Sequence, residues 1–143
     1  MRTTLSPGID ALRRRIESGR VLFDPGSFRV TAAGMAEVRG LATAMRLLSD
    51  SAAAIGASLR IDLVGRTDPT GTDATNQSLA QLRVDAVMAR LRAAGVRAAV
   101  MNGRPLATAQ PLAAADAAEH ARINRSVSFE VVVTNASLGP RGP

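Results

Sequence analysis

The sequence has no cysteine, no tryptophan and no tyrosine, and only three phenylalanines in 143 residues. Without cysteine there are no disulfides, no thiolate metal sites and no cysteine nucleophile. With three aromatics in all, the chain has almost no stacking platforms of the kind single-strand nucleic-acid binders use, so no nucleic acid is expected as a partner. Lysine is also missing. All 18 basic residues are arginine, against 12 acidic ones, for a net charge of +6. That charge favours anionic partners in general without choosing one. The arginines are scattered except for Arg13-Arg14-Arg15, a run expected on a solvated helix face. The single histidine, His120, has no carboxylate or serine at a matching spacing and is expected at the surface. The five methionines are scattered as core fillers would be. No metal site, cofactor or enzyme active site is expected from these residues. No stretch approaches the ~20 apolar residues of a membrane span. The opening MRTTLSPGIDALRRR lacks the apolar core of a signal peptide. Any membrane anchor or export signal is therefore expected in a segment absent from this chain.

What is present is a run of alternating periodicities. Ser6 and Pro7 suit a helix start, Ile9, Leu12 and Ile16 recur at helical spacing, and Gly19 can close the helix. Val21–Phe23 suits a short strand, ended by the Asp24-Pro25-Gly26 turn. A helix is predicted from near Thr31, with Val38, Leu41, Ala42, Met45 and Leu48 on its core face, running down around Ser49-Asp50. Leu59, Ile61 and Leu63 alternate with Arg60 and Asp62 as a half-buried strand. A polar loop over 65–75 leads to a long helix from about Asn76 to Ala94, with Gly95 after it. Val96–Met101 is expected as a short strand. Residues 103–121, with Pro105 and Pro111, are expected as a loop with one short helix near 113–121. Val127, Phe129, Val131 and Val133 form the last strand. This order predicts an α/β (α+β sandwich) fold: a mixed β-sheet of about four strands with helices packed on one face. The expected organisation is an N-terminal helical extension over 1–19, one domain over 20–134, and a frayed tail over 135–143.

The chemistry concentrates in residues 61–91, IDLVGRTDPTGTDATNQSLAQLRVDAVMARL. Asp68 lies just past a strand, where ligands of open α/β sheets tend to bind. Arg83 follows about two turns into the next helix. Read alone, Asp68 equally suits a turn cap and Arg83 a surface ion pair. In this segment Gly65, Thr67, Asp68, Gly71, Asn76, Leu79, Arg83, Val87 and Leu91 stand in ungapped register with the signature of the OmpA C-terminal-like (OmpA/MotB) peptidoglycan-binding domain family. Phe23, Ser27 and Val30 upstream, and Asn124, Arg125, Val127, Phe129 and Val131 downstream, match two further blocks of it. The chain resembles that family over about residues 20–133.

The resemblance implies a βαβαβ arrangement and a non-catalytic module that clamps the diaminopimelate of the peptidoglycan stem peptide. It thereby tethers an envelope protein to the cell wall in the periplasm. By the same resemblance, Asp68 receives the ligand ammonium and Arg83 its carboxylate. Thr67, Thr70 and Asn76 contact or buttress the ligand, and Arg125 lines the site from the last strand. The residue types suit that task. A zwitterionic end needs one anion and one cation at fixed spacing, and arginine's planar fork can hold a carboxylate in bidentate fashion. Each charge-assisted bond contributes roughly 1.5–3 kcal/mol. The main departure is Arg66, which replaces the family's His, Tyr or Phe beside Thr67-Asp68 and is expected to modify the site. Ser126 and Ser128 also depart, in the closing strand. Arg66 and an altered loop over 103–111 motivate the alternative of a structural, assembly or dimerisation domain of a larger envelope machine, such as a flagellar stator or a secretion system, with weak or no wall binding.

Overall fold

The two periodicities take shape as one layer of helices on one sheet in the computed structural model, which describes residues 7–69, 71–109, 111 and 117–135. In chain order these are helix α1 (Pro7–Glu17), strand β1 (Arg20–Leu22), helix α2 (Ala32–Ala54), strand β2 (Ala57–Arg66), helix α3 (Asp73–Ala93), strand β3 (Met101–Ala107), helix α4 (Ala117–Ile123) and strand β4 (Ser126–Asn135). The four strands form one sheet in the order β1-β4-β2-β3. Strand β2 runs parallel to β3 and antiparallel to β4, and β4 runs antiparallel to β1. This is the mixed α+β sheet that the sequence predicts. Ser6, residues 113–116 and the tail beyond 135 lie outside the described residues.

Local chemistry explains the element ends. Thr31 has an extended backbone, and its hydroxyl accepts the Gly34 N–H at 3.0 Å, so the chain turns helical at Ala32. Helix α2 continues past the expected stop at Ser49-Asp50 to Ala54, because no glycine or proline interrupts that turn. Gly56, at φ 70°, then lies just past the helix end, where the left-handed backbone suits glycine. Residues 98–100, expected to be strand, form a 3-10 turn instead. The strand comes later, at Met101–Ala107, where a loop was expected. Pro105 is tolerated there because β3 is an edge strand, paired with β2 alone.

The predicted stripe of α2 is buried: Val38, Leu41, Met45 and Leu48 are fully covered and Ala42 nearly so. They pack with Ile61 and Leu63 of β2, Val84, Val87 and Leu91 of α3, and Val127 and Phe129 of β4. Each fully buried Leu or Val contributes about 1.5–3 kcal/mol. Ile9 and Ile16 of α1 join the same core. The Glu17 carboxylate accepts the Val131 N–H at 3.0 Å, where β4 runs on past Arg20, the start of β1. Helix α3 approaches the sheet closely at Gly65. A Cβ there would lie 2.7 Å from both the Ala80 carbonyl oxygen and a Val84 methyl. This contact fixes the start of α3 over the end of β2.

Candidate functional site

The carboxyl end of β2 meets three other segments: the turn after β1, the start of α3 and the start of β4. Strand β2 ends in a bulge. Gly65 pairs with Pro105 but Arg66 with Ala107, which holds a left-handed φ of 55°. Thr67 N–H then donates to the Ala107 carbonyl at 3.0 Å. Its side chain is buried, and its Oγ1 has no hydrogen-bond partner. Asp68 follows, with a side chain 12% exposed. Thr70 lies outside the described residues.

Helix α3 starts earlier than expected. Thr72 is its N-cap, accepting the Thr75 N–H at 3.1 Å. Asn76, where the helix was expected to start, sits buried in the first turn instead. The left-handed Gly71, at φ 84°, brings the loop against it, so that a Cβ there would lie 3.6 Å from the Asn76 Oδ1. The side chain of Asn76 thus underlies the loop that carries Asp68.

Arg83 is 1% exposed, the largest fully buried side chain among the described residues. Its Nε donates to the Ser27 carbonyl at 2.8 Å, one terminal nitrogen to the Arg66 carbonyl at 3.1 Å, and the other to the Asp24 carbonyl at 3.2 Å. The guanidinium also lies 5.2 Å from the ring centre of Phe23. Burial pushes its pKa down to about 10; the negative charge of Asp68 opposes this and the positive charge of Arg125 adds to it. It remains a cation at neutral pH. Arg83 therefore pins the turn after β1 to the end of β2. The acceptors at Asp24 and Ser27 are backbone groups, which no side-chain motif displays. The only sequence signal for them was the Phe23 and Ser27 match.

Arg125 takes the position beside Asp68. Its terminal nitrogen lies 3.3 Å from the Asp68 carboxylate, and its Nε donates to the Phe23 carbonyl at 3.1 Å. The backbones of the same two residues also meet, Phe23 N–H donating to the Arg125 carbonyl at 2.7 Å. Asp68, Arg83 and Arg125 are thus one electrostatic group, with Arg125 and Asp68 toward solvent and Arg83 behind them.

Arg66 is directed away from this group. It alternates along β2 with Gly65 and Thr67 and donates to the Ser128 hydroxyl on the other face of the sheet. Its pKa is lowered first by burial; Glu130 opposes the shift, and Arg20 and Arg104 add to it. The Arg66 guanidinium and the Asp68 carboxylate thus engage different side chains, Ser128 and Arg125. Among the described residues, no group of three His, Asp or Glu could hold a metal, and no helix is long and apolar enough to cross a membrane.

A family model described as the OmpA family matches residues 22–125. The chain belongs to the OmpA family. Comparison with curated proteins finds no match. Among solved structures, the OmpA-family chain is similar to the peptidoglycan-associated lipoprotein from Burkholderia pseudomallei. The two are 26% identical with a TM-score of 0.67, over 79% of this chain and 89% of that one. It also shares its fold with the C-terminal domain of Helicobacter pylori MotB, at 22% identity and a TM-score of 0.69, covering 82% and 86% of the two chains. A putative MotB-like protein from Desulfovibrio vulgaris matches over 90% of this chain and 92% of its own, at 20% identity and a TM-score of 0.59.

Proposed function

We propose that this OmpA-family domain is a non-catalytic peptidoglycan-binding module of the periplasm that clamps the diaminopimelate of the stem peptide. One observation carries the reading: a part-exposed carboxylate, Asp68, flanked by two guanidinium groups, Arg125 and Arg83, at the carboxyl end of a strand. Family membership supports it, as does the similarity to a lipoprotein whose name records association with peptidoglycan.

The chemistry is exchange of partners. In the free protein Asp68 and Arg125 satisfy each other. A ligand with an adjacent ammonium and carboxylate can replace that pair by two: its ammonium on Asp68, its carboxylate on the arginines. Arg83 has five N–H groups and spends three on carbonyls, which leaves two for a carboxylate. Thr67, with its unpaired hydroxyl, and Thr70 offer further polar contacts, and Asn76 supports the loop. No group in this arrangement has to react.

Titration with a muropeptide containing meso-diaminopimelate, followed by calorimetry, tests the reading. Saturable binding that is lost in Asp68→Ala and Arg125→Ala is expected. No heat at millimolar ligand, or equal affinity in both variants, overturns it.

A further inference from the structure

Helix α3 separates a second polar pocket from Asp68. Where the last turns of α2 pass the segment after α3, a pocket of about 390 Å³ has Arg46, Leu47, Ser49, Asp50, Gly95 and Arg97 in its lining. Helix α3 has 21 residues, so the pocket lies about 30 Å along it from the Asp68 loop. Arg46 and Asp50 stand four residues apart on α2, the spacing of a helical ion pair, yet they do not pair. Arg46 lies instead across Gly95, whose left-handed φ of 99° suits glycine and whose missing side chain leaves the room. A Cβ there would lie 3.1 Å from the Arg46 Cδ and 3.8 Å from a terminal nitrogen. Neither Arg46 nor Asp50 has an ion pair or a side-chain hydrogen bond among the described residues. Arg97 reaches in from the facing wall, and its terminal nitrogen donates to the Ser49 hydroxyl at 3.0 Å. The O–H of Ser49 remains as a donor.

The surroundings are basic. Arg90 and Arg92 lie within two turns before Gly95, and Arg39 two turns before Arg46; all three are exposed and form no ion pair among the described residues. Glu37, the other acid of α2, is held by Arg15 and by the Arg20 N–H. Asp85, the nearest acid on α3, lies about 15 Å along the helix from Gly95 and accepts from Gln81. The carbonyl end of α3 is capped: the carbonyls of Arg90, Leu91 and Arg92 accept the N–H groups of Ala94, Gly95 and Val96. Asp50 is therefore the one acid in the lining, set against two guanidinium groups.

We propose that this pocket binds a phosphate ester of an amino alcohol, of which phosphoethanolamine is the simplest. The phosphate takes Arg46, Arg97 and the Ser49 hydroxyl, and the ammonium takes Asp50. Phosphate is favoured over carboxylate because the donors come from two walls, and three phosphate oxygens accept in as many directions. A plain anion would face Asp50 unmatched, and an ammonium two carbons away turns that repulsion into a contact. Leu47, 52% exposed beside the pocket, meets the apolar part of the ester. A phospholipid headgroup and a soluble ester present this same chemistry. The site does not depend on which ligand Asp68 takes.

Nuclear magnetic resonance titration of the full chain with phosphoethanolamine tests the site. Saturable shifts at Ser49, Gly95 and the Arg97 Nε–H are expected at millimolar ligand, with weaker ones for inorganic phosphate and none for ethanolamine. Arg46→Gln and Arg97→Gln each weaken binding at least about threefold, with unchanged circular dichroism because both side chains are exposed. Asp50→Asn makes phosphoethanolamine no better than phosphate. Asp68→Ala leaves the titration unchanged, which separates this site from the clamp. Vesicles distinguish the sources. Sedimentation with phosphatidylethanolamine, above that with phosphatidylcholine and lost in Arg97→Gln, assigns a lipid headgroup; shifts with the soluble ester and no sedimentation assign a soluble one. No saturable shift below about 20 mM, shifts confined to the Asp68 loop, or equal binding of phosphate and phosphoethanolamine overturns the proposal.

Discussion

Asp68 and Arg125 meet at 3.3 Å across the mouth formed by β2, α3 and β4, and neither side chain is fully covered. The pair keeps a carboxylate in place while leaving it reachable. Asp68→Asn preserves the shape and removes the charge. The expected result is a loss of binding to a diaminopimelate-containing muropeptide of about 10- to 100-fold, the value of one charge-assisted bond. Calorimetric titration measures it, and a loss below threefold would move the ammonium site away from Asp68.

Arg83 holds the neighbourhood together as much as it offers a cation. Arg83→Ala leaves the buried carbonyl of Arg66 and the part-buried carbonyls of Asp24 and Ser27 without their donor and opens a cavity over Phe23. Destabilisation of about 3–5 kcal/mol is expected in urea unfolding. A loss under about 1 kcal/mol would show that water replaces the guanidinium at little cost. Binding assays on this variant therefore need a check of the folded fraction.

The distribution of legible and illegible features follows from the range of the forces involved. The α2 stripe and the helix start near Thr31 were readable because both are set within a few residues of sequence. Strand β3 was not, because Gly103 and Pro105 look like turn residues until the strand is known to lie at an edge. The Asp68–Arg83 register was visible as a motif. The burial of Arg83 was not, since its acceptors Asp24 and Ser27 come from 56 or more residues away. The start of α3 was placed late, near Asn76, because the polar run 72–75 reads as loop until Thr72 is seen to cap it.

Arg66 stands beside Asp68 in sequence but across the sheet in space. Its hydrogen bond to Ser128 and its electrostatic neighbours Glu130, Arg20 and Arg104 all belong to the far face. Arg66→Ala is expected to change muropeptide affinity by less than about threefold. A larger change in the same titration, in either direction, would place its charge within reach of the ligand.

Alkaline pH isolates the buried guanidinium. The chain has no lysine, tyrosine or cysteine, so no ordinary side chain titrates from about pH 9 to 11. Burial lowers the Arg83 pKa to about 10, and the Arg66 pKa is lowered too. Below about pH 10, Arg83 is protonated in both folded and unfolded chains and contributes no slope. Above it, the unfolded chain holds a proton that the folded one has released, so stability rises with pH. The urea midpoint is therefore expected to be level between about pH 8.5 and 9.5 and to climb between about pH 10 and 11. Arg83→Met should flatten part of the climb. A level or falling midpoint in the unsubstituted protein would show that the three carbonyls and Asp68 hold the proton on Arg83 despite its burial.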